Sequence, residues 1–315
     1  MSQQTEVVSQ QTMSLYSADM DDAPSLGRGR AKPPWWQGMK AQGIAGKIVV
    51  MLVLAVGAVI IMIPVAWMLS VSLKTRAEVF AYPPTWIPKT IRLQNYVEMM
   101  RQIPFFTLLR NTLIITAGRL VGTVLASSLV AFGFARLRAP DRGALFLLVL
   151  ATMMLPEQVT LIPEFIIFSK LGWVNTFKPL IIPAFFGGGA FNIFLLRQFF
   201  MTIPLDYDDA ARIDGCGHFQ LYYRIILPLS KPALATVAIF NVMWSWNDFM
   251  GPLIYLRSLE ESTLSLGLWF FRGIHTPTWN YLMAMSTLVM LPIVMLFFFA
   301  QRLFIQGTVI TGIKG

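Results

Sequence analysis

Residues able to do covalent or metal chemistry are few and far apart. The 315-residue chain has one cysteine, Cys216, and two histidines, His218 and His275. An internal disulfide is excluded, and the His/Cys/Glu spacing that a zinc or iron site needs is absent, so no resident cofactor or metal is expected. No Gly-x-x-x-x-Gly-Lys-Ser/Thr phosphate loop occurs, and no paired nucleophile and base stands out, so the chain is expected to be no enzyme. What remains are charged and amide groups in apolar surroundings: Arg119, Glu157, Glu164 and the run Trp244-Ser245-Trp246-Asn247-Asp248-Phe249. A carboxylate at Asp248 should face a helix bundle's interior or water. Indole faces beside amides and carboxylates suit a polyol, which has apolar C–H faces and many hydroxyls. Equally, Trp244 and Trp246 can pack between helices while Asn247 and Asp248 hydrogen-bond within the bundle. Arg119 and Glu157 fall in the outer halves of their segments and are expected to snorkel outward rather than line a path.

The elements that position these groups are set by hydrophobicity. Of all residues 56% are hydrophobic and only 13% charged, against roughly 25% charged in a soluble domain. Charge-free runs from Ile48 to Leu73, Pro179 to Leu196 and Pro277 to Gln301 approach or exceed the length of about 20 residues that crosses a bilayer as helix. Interrupted runs, Asn111 to Ala135, Ala144 to Phe168 and Pro232 to Leu256, complete an all-α polytopic membrane protein with about six spans. The net charge of +9 is read as basic residues kept on the cytoplasmic side, not as a nucleic-acid footprint.

Residues 1–46 are rich in Ser, Gln, Asp and Arg and are expected to be cytoplasmic and disordered. Trp35 and Trp36 suit an interfacial anchor. With the N-terminus inside, the segments 136–142, 202–231 and the tail from 303 are cytoplasmic, and Arg136, Arg138 and Arg142 obey the positive-inside rule. The outer loop 74–104 argues the other way with Lys74, Arg76, Lys89, Arg92 and Arg101. Its prolines at 83, 84 and 88 rule out continuous helix and predict an ordered outer cap. Gly187-Gly188-Gly189 predicts a bend or a close helix contact in the fourth span. No fixed-period repeat or inverted halves are visible, which speaks against a carrier that works alone.

One loop, 204–228, reads as two short helices around a turn. Pro204 is placed to start the first, Asp206 and Asp208 suit its positive end, and Gly215 supplies the left-handed residue that ends it. The second presents Phe219, Tyr222, Tyr223 and Ile226 on one stripe, Pro228 is expected to stop it, and Ser230 and Pro232 to cap and open the next span. An exposed aromatic stripe needs a protein partner or a membrane surface to cover it.

The segment resembles the cytoplasmic coupling loop of ABC-importer permeases, whose pattern is Glu-Ala-Ala, three residues, Gly, nine residues, Ile, one residue, Leu-Pro. Ala210, Ala211, Gly215, Ile225, Leu227 and Pro228 fall at those places, and Asp209 stands where the family has Glu. Trp246-Asn247-Asp248-Phe249, Pro156-Glu157-Gln158 and the tail residues Gln301, Gly307, Thr308, Gly312, Lys314 and Gly315 look like the carbohydrate branch, of the maltose-type second permease. The resemblance runs from about Lys47 to Gly315 and leaves out residues 1–46. It implies a type I importer permease fold in 47–315 that pairs with a homologous permease, two ATPase subunits and an external sugar-binding protein in the cell membrane. ATP and Mg would be bound by the ATPase subunits. Asp209, Ala210, Ala211, Gly215, Phe219, Tyr222, Leu227 and Pro228 would engage the ATPase, and Trp244, Trp246, Asn247 and Asp248 would line the substrate path. Glycerol phosphate or amino acids are alternative cargoes.

Overall fold

The computed structural model describes residues 44–272 and 278–311, with side chains described to Gln301. Expectations for Trp35, Trp36, the rest of 1–43, His275, Gly312, Lys314 and Gly315 lie outside the described residues. All regular structure among the described residues is helical. The chain divides at Pro64 into two units. Helix α1 (Ile44–Ser72) supplies the first through Ile63. Its side chains there are almost all exposed, Ile61 by 74%, as an apolar rod built to be solvated by lipid must be.

In the second unit, the cap α2 (Arg76–Val79) and α3 (Gln94–Gln102) precedes the long span α4 (Phe105–Arg136). The prolines do break the helix between Val79 and Gln94, as expected. Lys74 departs from expectation: counted as an outer-loop charge, it is 1% exposed, donates to the Thr85 carbonyl and lies 4.5 Å above the Trp67 ring. Asn95, fully buried, donates to the carbonyls of Ser72 and Lys74 at 2.7 and 2.9 Å and so staples the cap to the end of α1.

Next come α5 (Arg142–Thr152) and α6 (Glu157–Lys170), inclined at 94° rather than forming the single straight span expected over 144–168. Pro156, extended at ψ 136°, explains the break. The fourth span is also divided. α7 (Lys178–Ile181) and a 3₁₀ turn at Ile182–Phe185 lead into Gly187, Gly188 and Gly189, all at positive φ, and then α8 (Ala190–Thr202). At Gly188 a Cβ would sit 2.5 Å from the Thr123 carbonyl oxygen, so the bend and the close approach to α4 expected of this triplet both occur.

The loop beyond α8 holds α9 (Asp206–Ile213) and α10 (His218–Leu221), a π turn at Tyr222–Ile226 and α11 (Leu227–Leu229). α12 (Lys231–Asn247) leaves at 78° to this arm. The fifth span, expected unbroken to Leu256, stops at Asn247 and resumes as α13 (Met250–Tyr255). The carboxylate of Asp248 is the reason, since its Oδ1 takes the Gly251 N–H at 3.0 Å and starts the new helix. α14 (Leu264–Arg272) and the terminal span α15 (Trp279–Thr311) complete the order. α15 runs past Gln301 without a break, so the expected cytoplasmic tail begins as helix.

Among the described residues four helices are long and apolar enough to cross a membrane, or six where each of the two bent pairs counts as one span. One apolar core lies at the Arg136 end of α4, where Phe132, Leu196, Phe200, Leu221, Ile226 and Val237 meet. A second, with Met99, Leu108, Trp246, Leu264 and Met285, lies toward the cap.

Candidate functional site

The two-helix arm is held by its own backbone chemistry. Asp206, Asp208 and Asp209 load the first turn of α9, where unpaired N–H groups favour negative charge. At the far end Gly215 turns the chain with φ 78°, and Cys216 donates to the Ala211 carbonyl at 2.9 Å, the closure typical of a left-handed helix end. Gln220 then reaches back to accept the Gly217 N–H at 3.0 Å and opens the second helix. Two expectations need correction here. Pro204 lies ahead of the helix, which begins at Asp206. Pro228 does not stop the second helix: Leu227 donates back to the Tyr222 carbonyl in a wide turn, and the helix passes the proline to Leu229. A π turn just before Pro228 makes room for a ring that would strike the carbonyl four residues back. Ser230 fixes the bend by backbone alone. Its carbonyl accepts from Leu234 at 2.9 Å, while its hydroxyl, expected as a cap, makes no hydrogen bond.

The arm is bolted to the spans by a buried ion pair that the sequence did not announce. Arg136, the last residue of α4, lies 3.3 Å from Asp208, with side chains 2% and 4% exposed. The same guanidinium donates to the carbonyls of Phe200 and Ile203 at 2.7 Å each. One side chain thus ties the ends of α4 and α8 to α9. Burial pushes the Asp208 carboxyl above its ordinary range, opposed by Arg136 and more weakly by Arg212.

The arm's two faces divide the expected coupling residues. Ala211 (3% exposed) and Tyr222 (6%) point into the core, Tyr222 sharing a 2.8 Å hydrogen bond with Ser128, and Leu227 packs half-buried beside them. Ala211 and Tyr222 therefore shape the arm from within, and Leu227 keeps part of its surface open. Asp209, Ala210, Gly215, Phe219 and Pro228 are exposed, Phe219 by 67%. The aromatic stripe is split: Phe219 and Tyr223 stand out, their rings 5.5 Å apart, whereas Tyr222 and Ile226 turn in. The wide turn rotates the stripe off the regular 3.6-residue period, which periodicity reasoning could not see. Ile213, 87% exposed at the end of α9, is a further large apolar side chain that the sequence reading did not single out.

A second site lies among the spans. Arg119, Glu157, Glu164, Asn192, Asn241 and Asp248 line an open cavity of about 560 Å³, with Trp244 and Tyr255 at its walls. Arg119 does not snorkel outward as expected. It pairs with Asp248 at 3.1 Å, joining α4 to the break between α12 and α13. Glu157 also lines this cavity. Of the four residues expected on a substrate path, Trp244 and Asp248 line the cavity, and Asn247 lies in an adjoining apolar recess with Phe191, Phe240 and Trp244. Trp246 is corrected to a core residue, 4% exposed and donating to the Val289 carbonyl at 3.0 Å. No group of three or more His, Cys, Asp and Glu able to hold a metal occurs among the described residues.

Helices of spanning length around a polar cavity, with a two-helix arm at one end, make this a multi-pass helical membrane protein. Residues 44–309 match the family described as the inner membrane component of binding-protein-dependent transport systems, and the chain belongs to it. It is 36% identical over 262 residues to a putative ABC transporter permease of a Caldicellulosiruptor species, covering 83% of this chain and 95% of the relative. It is likewise 36% identical over 229 residues to the arabinooligosaccharides transport system permease AraQ of Halalkalibacterium halodurans, covering 72% and 81% of the two chains. Among solved structures it shares the fold of a bacterial ABC transporter involved in the import of the acidic polysaccharide alginate, with a TM-score of 0.73 at 23% identity over 81% of this chain and 95% of that one.

Proposed function

We propose that this chain, a permease subunit of an ABC transporter, imports a saccharide and is driven through the arm at 204–228. The observation that carries the reading is the arm itself: a bent helix pair fixed to two spans by Arg136 and Asp208, with Ile213, Phe219 and Tyr223 left open on its outer face. Large exposed apolar side chains grouped on one element gain from being covered by protein. ATPase subunits with bound ATP and Mg would cover them, with the arm and both termini in the cytosol. Basic residues at 136, 138 and 142 on the same end support that orientation. A homologous permease would complete the path, and an external binding protein would deliver the cargo. The chain itself would catalyse nothing. A saccharide cargo is supported by the relatives named for oligosaccharide import and by the indole and amide groups of the cavity.

Reconstitution of the complete complex in proteoliposomes tests this reading. Phe219→Asp should reduce ATP-driven uptake of labelled oligosaccharide at least about tenfold while the permease pair still assembles, since a charge replaces an apolar anchor of the kind that dominates interfaces. Undiminished uptake would remove the arm from the drive train.

A further inference from the structure

The charged groups lining the cavity are mostly carboxylates: Glu157, Glu164 and Asp248, with Arg119. Asn192 is 5% exposed and Asn241 4%, and both amide nitrogens are already committed, to the Gly188 carbonyl at 2.8 Å and to the Thr123 hydroxyl at 2.9 Å. Their Oδ1 atoms are buried at the cavity wall without a hydrogen-bond partner. Fully buried, these oxygens are closed to the cavity, and the charged acceptors that it presents are the exposed carboxylates. Glu157 and Glu164 add acceptors. They lie seven residues apart on α6, two turns along one face, and both are exposed toward the cavity they line. The cavity's single cation among its lining residues, Arg119, is engaged by Asp248, whose second oxygen is held by Gly251. Three carboxylates against one guanidinium leave the site acidic.

We infer that this cavity takes a saccharide bearing no anionic group, held through hydroxyls donated to Glu157 and Glu164, and that it discriminates against uronates and sugar phosphates. The inference rests on the saccharide-permease reading and narrows it. An incoming carboxylate or phosphate would meet two unpaired carboxylates, while its natural partner, Arg119, already has its charge balanced by Asp248.

Equilibrium dialysis of the purified complex, without its binding protein, against labelled maltotriose and labelled trigalacturonate tests the claim at matched concentration. Retention should favour the neutral trisaccharide by about tenfold, the effect of two partly solvated like charges. The double variant Glu157→Gln/Glu164→Gln should narrow that ratio to about threefold or less. Both positions are exposed, so the variant should still assemble, and gel filtration checks this. Equal retention of the two sugars, retention of neither, or an unchanged ratio in the double variant would overturn the inference. ATP-driven uptake by the same preparation, with its binding protein, separates the two levels. If maltotriose or another neutral saccharide is imported while the charge preference is missing, only the cavity assignment fails. If no saccharide is imported but another solute is, the saccharide reading fails with it.

Discussion

Arg136 shows how one side chain can decide whether an arm is stiff. Its charge is buried against Asp208, and its Nη2 donates to the carbonyls of Phe200 and Ile203 at the end of α8. Removing one partner strands the other, so Asp208→Asn or Arg136→Met should each cost about 3–5 kcal/mol, measured by thermal unfolding of the solubilised complex. Replacing both by apolar residues of similar size should cost less than either alone. Gly188 is a different kind of constraint. A methyl there would press on the α4 backbone at Thr123 and Ser127 and would need φ 69°, so Gly188→Ala should destabilise by about 2 kcal/mol or more in the same assay. The residue types at 204–228 were legible because capping and turn rules act locally. The partners of Arg119 and Arg136 were not, because each lies more than 70 residues away in sequence, and a lone arginine in an apolar run reads equally as a snorkelling side chain.

At the scale of elements, the angle of the arm is set by Gly215 and by the wide turn before Pro228. The two can be separated experimentally. A Cβ at Gly215 meets nothing within 4 Å, so Gly215→Ala pays only for the left-handed backbone, about 1–2 kcal/mol, and should keep most ATP-driven uptake. Gly215→Pro cannot reach φ 78° and should abolish coupled uptake while the protein still inserts in the membrane. Uptake assays on both variants, with membrane fractionation as control, decide the point. Hydropathy located the spans correctly but took three of them as continuous. The breaks at Pro156, Gly187–Gly189 and Asp248 are local events inside apolar runs, and hydropathy averaged over a span length hides them. The glycine triplet alone announced its bend.

For the whole molecule, the two sites sit on a shared set of helices. α4 carries Arg119 at the cavity and Arg136 at the arm, 17 residues apart on one helix, or roughly 25 Å at about 1.5 Å per residue. α8 likewise carries Asn192 at the cavity and Phe200, whose carbonyl Arg136 holds, near the arm. Arg136 and Asp208 thus join the arm to two helices that also line the cavity, the physical link that the proposed coupling would need. Composition and one strongly patterned loop were enough to indicate the membrane class, the family and the arm; the cavity's charge balance emerged only when four helices came together.

The most direct test of the central claim is the sidedness of the arm. In a Cys216→Ser background, Phe219→Cys provides one exposed thiol on its outer face. A membrane-impermeant maleimide should label it in inside-out vesicles stripped of ATPase subunits and should fail to label it once those subunits are bound. Labelling from the outside of intact cells, or labelling unaffected by the ATPase, would contradict the account.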